Sequence, residues 1–212
     1  LRKSYGYAES RPPRRRRLGW GRVLLVLAAV AAVGAAFAVV MNPVGVPASG
    51  AANLGGTVNT RWGRLSTADR KLLVAVRQAG LWEIPAGQQA QQRAAMPRVR
   101  EVGEIIMQQH MQLDADARAT AQRLGVLLPT EPNGSQKSWL REMSGKYGTE
   151  YDKTFVLRLR AAHGKVFAVI ATVRAQTENT EIRAFAERSL KFVNTHMSLL
   201  ESTGLVPRRA LH

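Results

Sequence analysis

The sequence predicts an all-α protein: an up-down-up-down four-helix bundle preceded by one N-terminal transmembrane helix. Three observations carry this prediction. Val23 to Met41 is an unbroken apolar run without a charge. Beyond Ser66, apolar residues recur at helical spacing through four long stretches. Two short turns and one longer loop separate those stretches, and no strand-like alternation competes with them.

At about 1.5 Å rise per residue, the Val23–Met41 run is long enough to cross most of a ~30 Å hydrocarbon layer. Residues 1–22 carry eight Lys/Arg against the single acid Glu9, with Arg14 to Arg17 just before the run. Asn42 to Thr60 holds no charge. The positive-inside rule then puts the basic tail in the cytoplasm and the rest of the chain on the outer face. A cleaved secretory signal is the competing reading, with a small-residue site near Ala48-Ser49-Gly50-Ala51. Arg16-Arg17-Leu18-Gly19 also loosely echoes a twin-arginine signal. The length of the run favours a retained anchor. Residues 42–65, rich in Gly, Pro and Ser toward their start, read as a flexible spacer. The bundle occupies 66–203, and 204–212 is a tail.

Within the bundle, Ser66 and Asp69 form the pattern of a capping box before the first helix, about 66–95. Its stripe is Leu72, Leu73, Val76, Gly80, Glu83, Gly87 and Ala90, and Pro85 predicts a kink near Leu81. Met96-Pro97 stops that helix and opens the second, about 97–124, because proline suits a first helical turn. Gly125 closes it as a left-handed cap would. Val126 to Gln136 is a loop, with a short helical piece over about 136–145. The third long helix runs about 148–175 and the fourth about 180–203, ended by Gly204.

Composition removes several classes of chemistry. Cysteine is absent, which excludes disulfides, thiolate nucleophiles, Fe–S clusters and cysteine zinc sites. The net charge of +16 suits an anionic surface, but no basic stripe with interleaved aromatics marks a nucleic-acid partner, and none is expected. No phosphate-cradling glycine loop or nucleophile with its base in a recognisable frame appears, so no catalytic residue is assigned.

Each long helix carries one ionisable residue within its apolar stripe: Glu83, His110, His163 and His196. Antiparallel neighbours bring together residues equidistant from their turn. Glu83 and His110 are symmetric about Met96-Pro97, His163 and His196 about Asn179-Thr180, and His110 and His163 about the end of the long loop. All four are therefore expected at one height. A buried carboxylate among three imidazoles either shares protons with them or joins them in holding one transition-metal ion, Fe, Zn, Mn or Cu. Asp114, one turn beyond His110, is a further candidate ligand or a group to orient that ring. Asp152 is too far from His163 to share an ion with it. Met107, Met111 and Met197 lie beside the histidines, and flexible core filler is their expected role rather than copper ligation.

Leu81-Trp82-Glu83-Ile84, the Val99-to-His110 helix, Gly125-Val126-Leu127-Leu128-Pro129, Tyr151-Asp152 and the closing Ile182-to-His196 helix resemble the DUF4142 proteins. These are bacterial exported or membrane-anchored domains of unknown function. The resemblance implies a ferritin-like four-helix bundle, and its recurring Glu and His positions match Glu83, His110, His163 and His196. Gln109 departs from it, standing where many members have Asp. No Glu-x-x-His occurs, so the di-iron arrangement of ferritin-like enzymes is not expected. Two functions follow as expectations. One is a membrane-tethered, extracytoplasmic bundle that binds a metal at the four-residue cluster. The other is a non-catalytic module packing against a membrane or cell-envelope complex.

Overall fold

The computed structural model describes residues 56–207. The basic tail, the Val23–Met41 run and the start of the spacer lie outside the described residues. Among the described residues no helix is long and apolar enough to cross a membrane.

Five helices follow a small hairpin. The hairpin pairs β1 (Val58–Thr60) with β2 (Gly63–Leu65), antiparallel, with Thr60 opposite Gly63. The helices are α1 (Thr67–Arg93), α2 (Pro97–Leu124), α3 (Gly134–Ser144), α4 (Gly148–Gln176) and α5 (Thr180–Glu201). The expected spacer therefore ends before Val58. The hairpin is pinned to the bundle by Asn179, whose amide donates to Thr60 Oγ1 at 3.1 Å and to the Gly63 carbonyl at 3.2 Å. Gly63, at φ +103°, leaves room for the Glu178 carbonyl, which a Cβ would overlap. The buried Arg70 reaches back from α1 to the carbonyls of Leu65 and Gly56.

The local signals set the helix ends. Ser66 and Asp69 complete the capping box, with the Ser66 amide donating to Asp69 Oδ2 at 2.7 Å and the Asp69 amide to Ser66 Oγ at 3.1 Å. Pro97 occupies the first turn of α2, and Gly125 caps it at φ +66°. Asn133 and Gln136 form a second capping box, starting α3 two residues earlier than expected. α1 runs on as one helix through Pro85.

One expectation is corrected. The four long helices, α1, α2, α4 and α5, run up, down, down, up, where up, down, up, down was expected. The end of α2 meets the start of α5 through Arg123 and Glu181, while Arg98 at the start of α2 meets Ser202 just after α5. α2 and α5 are therefore antiparallel. The start of α4 lies at the end of α1: Tyr151 Oη donates to the Ala86 carbonyl at 2.9 Å, and the Ala95 and Met96 amides donate to Asp152. α2 and α4 thus point the same way, across the bundle from each other. The physical reason is the length of their connection, residues 125–147. Its α3 has 11 residues and spans about 16 Å, enough with the loop to return the chain to the other end.

Two apolar cores result. One, near the hairpin, gathers residues such as Leu72, Val76, Leu113, Ile170 and Phe185. The other, near the α1–α2 turn, gathers Trp82, Val102, Ile106, Phe155 and Leu159. On α2, α4 and α5, the residue between the two cores is a histidine.

Candidate metal centre

The polar layer between the cores contains Glu83, His110, His163 and His196, each less than 4% exposed. The level match holds for a reason other than the expected one. His110 and His163 sit nearly equal distances from the starts of α2 and α4, and both helices start at the same end. Glu83 and His196 join them because α1 and α5 are antiparallel to those two.

The contacts form a chain. Glu83 Oε2 lies 3.0 Å from His110 Nε2 and 3.4 Å from His163 Nε2. His163 Nε2 lies 2.9 Å from His196 Nδ1. One nitrogen from each of the three imidazoles falls within 4.8 Å of the other two. Ring centroids are 5.0 Å apart for His163–His196 and His110–His196, and 5.9 Å for His110–His163.

Proximity here is not hydrogen bonding throughout. Glu83 Oε2 and both nitrogens of His110 are buried with no hydrogen-bond partner. The His110–Glu83 pair is close enough, at 3.0 Å, but its angles miss hydrogen-bond alignment.

The outer partners bear on the tautomers of the other two rings. The Leu159 carbonyl, 2.8 Å away, accepts from His163 Nδ1, so a neutral ring has a bare Nε2. The Gln109 amide lies 2.9 Å from His196 Nε2: turned oxygen-first it accepts from that nitrogen and leaves Nδ1 bare, and turned nitrogen-first it donates and leaves Nδ1–H to bond His163 Nε2 at 2.9 Å.

Burial and mutual charge shift three groups of the layer. Burial holds both His163 and His196 below the usual histidine range, with His110 adding to the effect on each; Glu83 opposes it on His163. Burial pushes the Glu83 carboxyl up, but His110 and His163 more than offset this and leave it below its ordinary value. Burial thus favours the neutral rings of His163 and His196, the form in which an imidazole can ligate a metal.

Asp114 does not take the part considered for it. Its Oδ1 pairs with Arg77, and its Oδ2 lies 3.1 Å from Arg118 Nε. The two guanidiniums engage both oxygens, and Arg77 is itself fixed by donating to the Pro129 carbonyl at 3.2 Å. Asp152 is also committed elsewhere, to the Ala95 and Met96 amides. Met111 is 52% exposed and faces away from the layer. Gln109 is the residue that sequence reasoning undervalued. It was a departure from the family pattern, yet its amide is what holds His196. Its position one residue before His110 was the available signal, because that places it on the flank of the stripe, beside α5.

A family model described as a domain of unknown function, DUF4142, matches residues 58–202, well over half of the chain. No curated protein and no solved structure matches the chain. The match begins at the hairpin and ends just after α5, so it takes in every described element that positions the polar layer. The chain belongs to the DUF4142 family.

Proposed function

We propose that this protein is a membrane-tethered, extracytoplasmic helical domain that binds one transition-metal ion through His110, His163, His196 and Glu83. The observation that carries the reading is the set of unsatisfied atoms: Glu83 Oε2 and the His110 nitrogens have no hydrogen-bond partner. A proton shared between His163 and His196 would serve that one pair and leave Glu83 and His110 as they are. A metal ion held by the three imidazoles would also lie beside Glu83 Oε2, which stands 3.0 and 3.4 Å from two of their nitrogens. Imidazole and carboxylate ligands at about 2.0–2.1 Å from an ion stand about 2.9–3.4 Å from their neighbours, between octahedral and tetrahedral angles. The three close contacts, 2.9, 3.0 and 3.4 Å, match that spacing. Leu159 and Gln109 supply the outer hydrogen bonds that orient two of the rings. The donor set has no thiolate and suits Zn, Fe, Mn or Cu.

The tether is supported by the uncharged Val23–Met41 run and the arginines before it. The accessory-module reading has Leu157 and Val169 on the outside of α4, at 43% and 47% exposure. Single exposed apolar residues are common on folded surfaces and name no partner.

Elemental analysis of full-length protein, extracted from membranes without chelator, tests the reading. One equivalent of a single transition metal is expected, lost in the His163→Ala plus His196→Ala variant. Substoichiometric metal that the double substitution leaves unchanged would remove the metal centre. Recovery of the intact chain in the cytosolic fraction would remove the tether.

A further inference from the structure

A cleft of about 240 Å³ opens between α1, α4 and the start of α3, and it ends on Glu83. Its walls are mostly apolar, with Gln78, Asn133 and Gln136 the uncharged polar side chains among them; the side-chain oxygens of Asn133 and Gln136 are used in the α3 capping box. Trp82 and Trp139 meet edge to face, with centroids 5.2 Å apart, and Ala79 and Val166 stand among the small and branched residues lining the rest. Two charged groups mark its ends. At the floor is the buried Glu83 carboxylate, whose Oε2 faces the histidines and to which no described residue donates a hydrogen bond. At the mouth is the exposed Lys165, which pairs with no acid among the described residues.

This combination selects a ligand class. An apolar cavity of about 150 Å³ holds one benzene ring, so the cleft holds one substituted ring with room for groups at both ends. Two indoles among mostly apolar walls favour an aromatic body. The carboxylate floor accepts and does not donate, so the inner end of the ligand must carry an O–H or N–H. The unpaired ammonium at the mouth favours an anionic outer end and disfavours an organic cation.

We infer that the α1/α4 cleft is a binding pocket for a small aromatic hydroxy acid, with its hydroxyl donated to Glu83, its ring against Trp82 and Trp139, and its carboxylate at Lys165. The pocket shares Glu83 with the metal centre and does not depend on it. A carboxylate has two oxygens, and the one turned away from the histidines serves the pocket whether or not an ion is bound.

The probe is 4-hydroxybenzoate, titrated calorimetrically into the full chain in lipid nanodiscs, with empty nanodiscs as the blank. Saturable one-to-one binding is expected. 4-Methoxybenzoate, which lacks the donor, and phenol, which lacks the anion, should each bind at least about tenfold more weakly. Ala79→Leu fills the cleft and Val169→Phe narrows its exposed mouth. Each should weaken 4-hydroxybenzoate at least about tenfold while zinc affinity stays as in the parent. No saturable heat, equal binding of the three probes, or undiminished binding in both cleft variants would each overturn the pocket. The His163→Ala plus His196→Ala protein separates the two readings: it should lose zinc and keep 4-hydroxybenzoate, and losing both would overturn an independent pocket.

Discussion

The buried polar groups at the ends of the bundle and those in its middle layer are treated differently. At the ends, Asp152, Asp69 and Asn179 have aligned partners, although Gln89 Oε1 and Arg70 Nε do not. Asp152 accepts from the Ala95 amide at 3.1 Å and the Met96 amide at 3.0 Å, closing the α1–α2 turn. Asp69 caps α1 with Ser66, and Asn179 caps α5 while holding the hairpin. In the middle, Glu83 and His110 are as deeply buried and have no aligned partner. A folded chain of this kind satisfies most of its buried polar groups. Among the described residues the buried side-chain atoms without a partner are Arg70 Nε, Gln89 Oε1, Glu83 Oε2 and both His110 nitrogens, and three of these five lie in the layer that His163 and His196 also reach. The carboxylates at the ends tie helix ends and turns together, whereas Glu83 and His110 bond to no helix end.

The largest effect is expected at an end. Asp152→Asn keeps the shape and replaces one acceptor oxygen with a donor facing an amide N–H. Losing a charged acceptor from two buried amides should cost about 2–5 kcal/mol of unfolding free energy. Urea denaturation of the metal-free protein measures it, and a loss under about 1 kcal/mol would show that the turn does not need its carboxylate. A smaller cost is expected where α1 and α2 touch. A Cβ on Gly87 would lie 2.5 Å from the Gly103 carbonyl oxygen and 2.7 Å from Met107 Cβ, so the helices must separate. Gly87→Ala should cost about 1–3 kcal/mol by overpacking, read from the same denaturation curves. Unchanged stability would mean that the two helices are free to move apart there.

Much of this contrast is legible in the sequence, and its limits have physical causes. Caps are local, so Ser66-Asp69, Met96-Pro97 and Gly125 mark helix ends correctly. The 3.6-residue stripe puts Glu83, His110, His163 and His196 inside, because burying a stripe buries whatever occupies it. Direction is another matter. Whether a 23-residue connection returns on the same side or crosses over depends on α3 docking against α1 and α4, which no local pattern encodes. The hairpin at Val58 is equally hidden, since its three-residue strands are held by Asn179 and Thr180, over a hundred residues away. Asp114 misleads for a similar reason. One turn from His110 is the correct spacing for a shared face, but Arg77 on the neighbouring helix takes its carboxylate.

Acid should weaken the middle layer before the ends. His163 and His196 hold folded-state pKa values below the ordinary 6.5, so the unfolded chain takes up protons first as pH falls. Their contribution is complete above about pH 6.5 and is lost below it, at up to about 1.4 kcal/mol per pH unit for each group. Glu83, also lowered, adds a further loss as pH drops below its ordinary 4.5. Urea midpoints of metal-free protein at pH 7.5, 6.0 and 5.0 should fall in that order. Bound metal should resist the first part of the decline, because protons and the ion compete for the same nitrogens. A midpoint flat from pH 7.5 to 5.0 would mean that these imidazoles are as free to protonate in the fold as outside it.

The smallest effect on stability is expected from the same chemical change made in the middle. Glu83→Gln, like Asp152→Asn, turns a buried carboxylate into its amide. At Asp152 two amide N–H groups depend on the charge; at Glu83 the neighbours are the His110 and His163 rings, at 3.0 and 3.4 Å. Removing the buried carboxylate also removes its desolvation cost, which offsets most of the attraction lost from those rings, so metal-free Glu83→Gln should stay within about 1 kcal/mol of the parent. Its effect should appear only with metal. A zinc-saturated parent gains stability by mass action, about 2.7 kcal/mol at a hundredfold excess over Kd. The variant, with a neutral and weaker ligand, should show less of that gain at the same zinc concentration. If Glu83→Gln destabilises the metal-free protein as much as Asp152→Asn does, the carboxylate is a structural group like those at the ends, and the contrast between the two regions disappears.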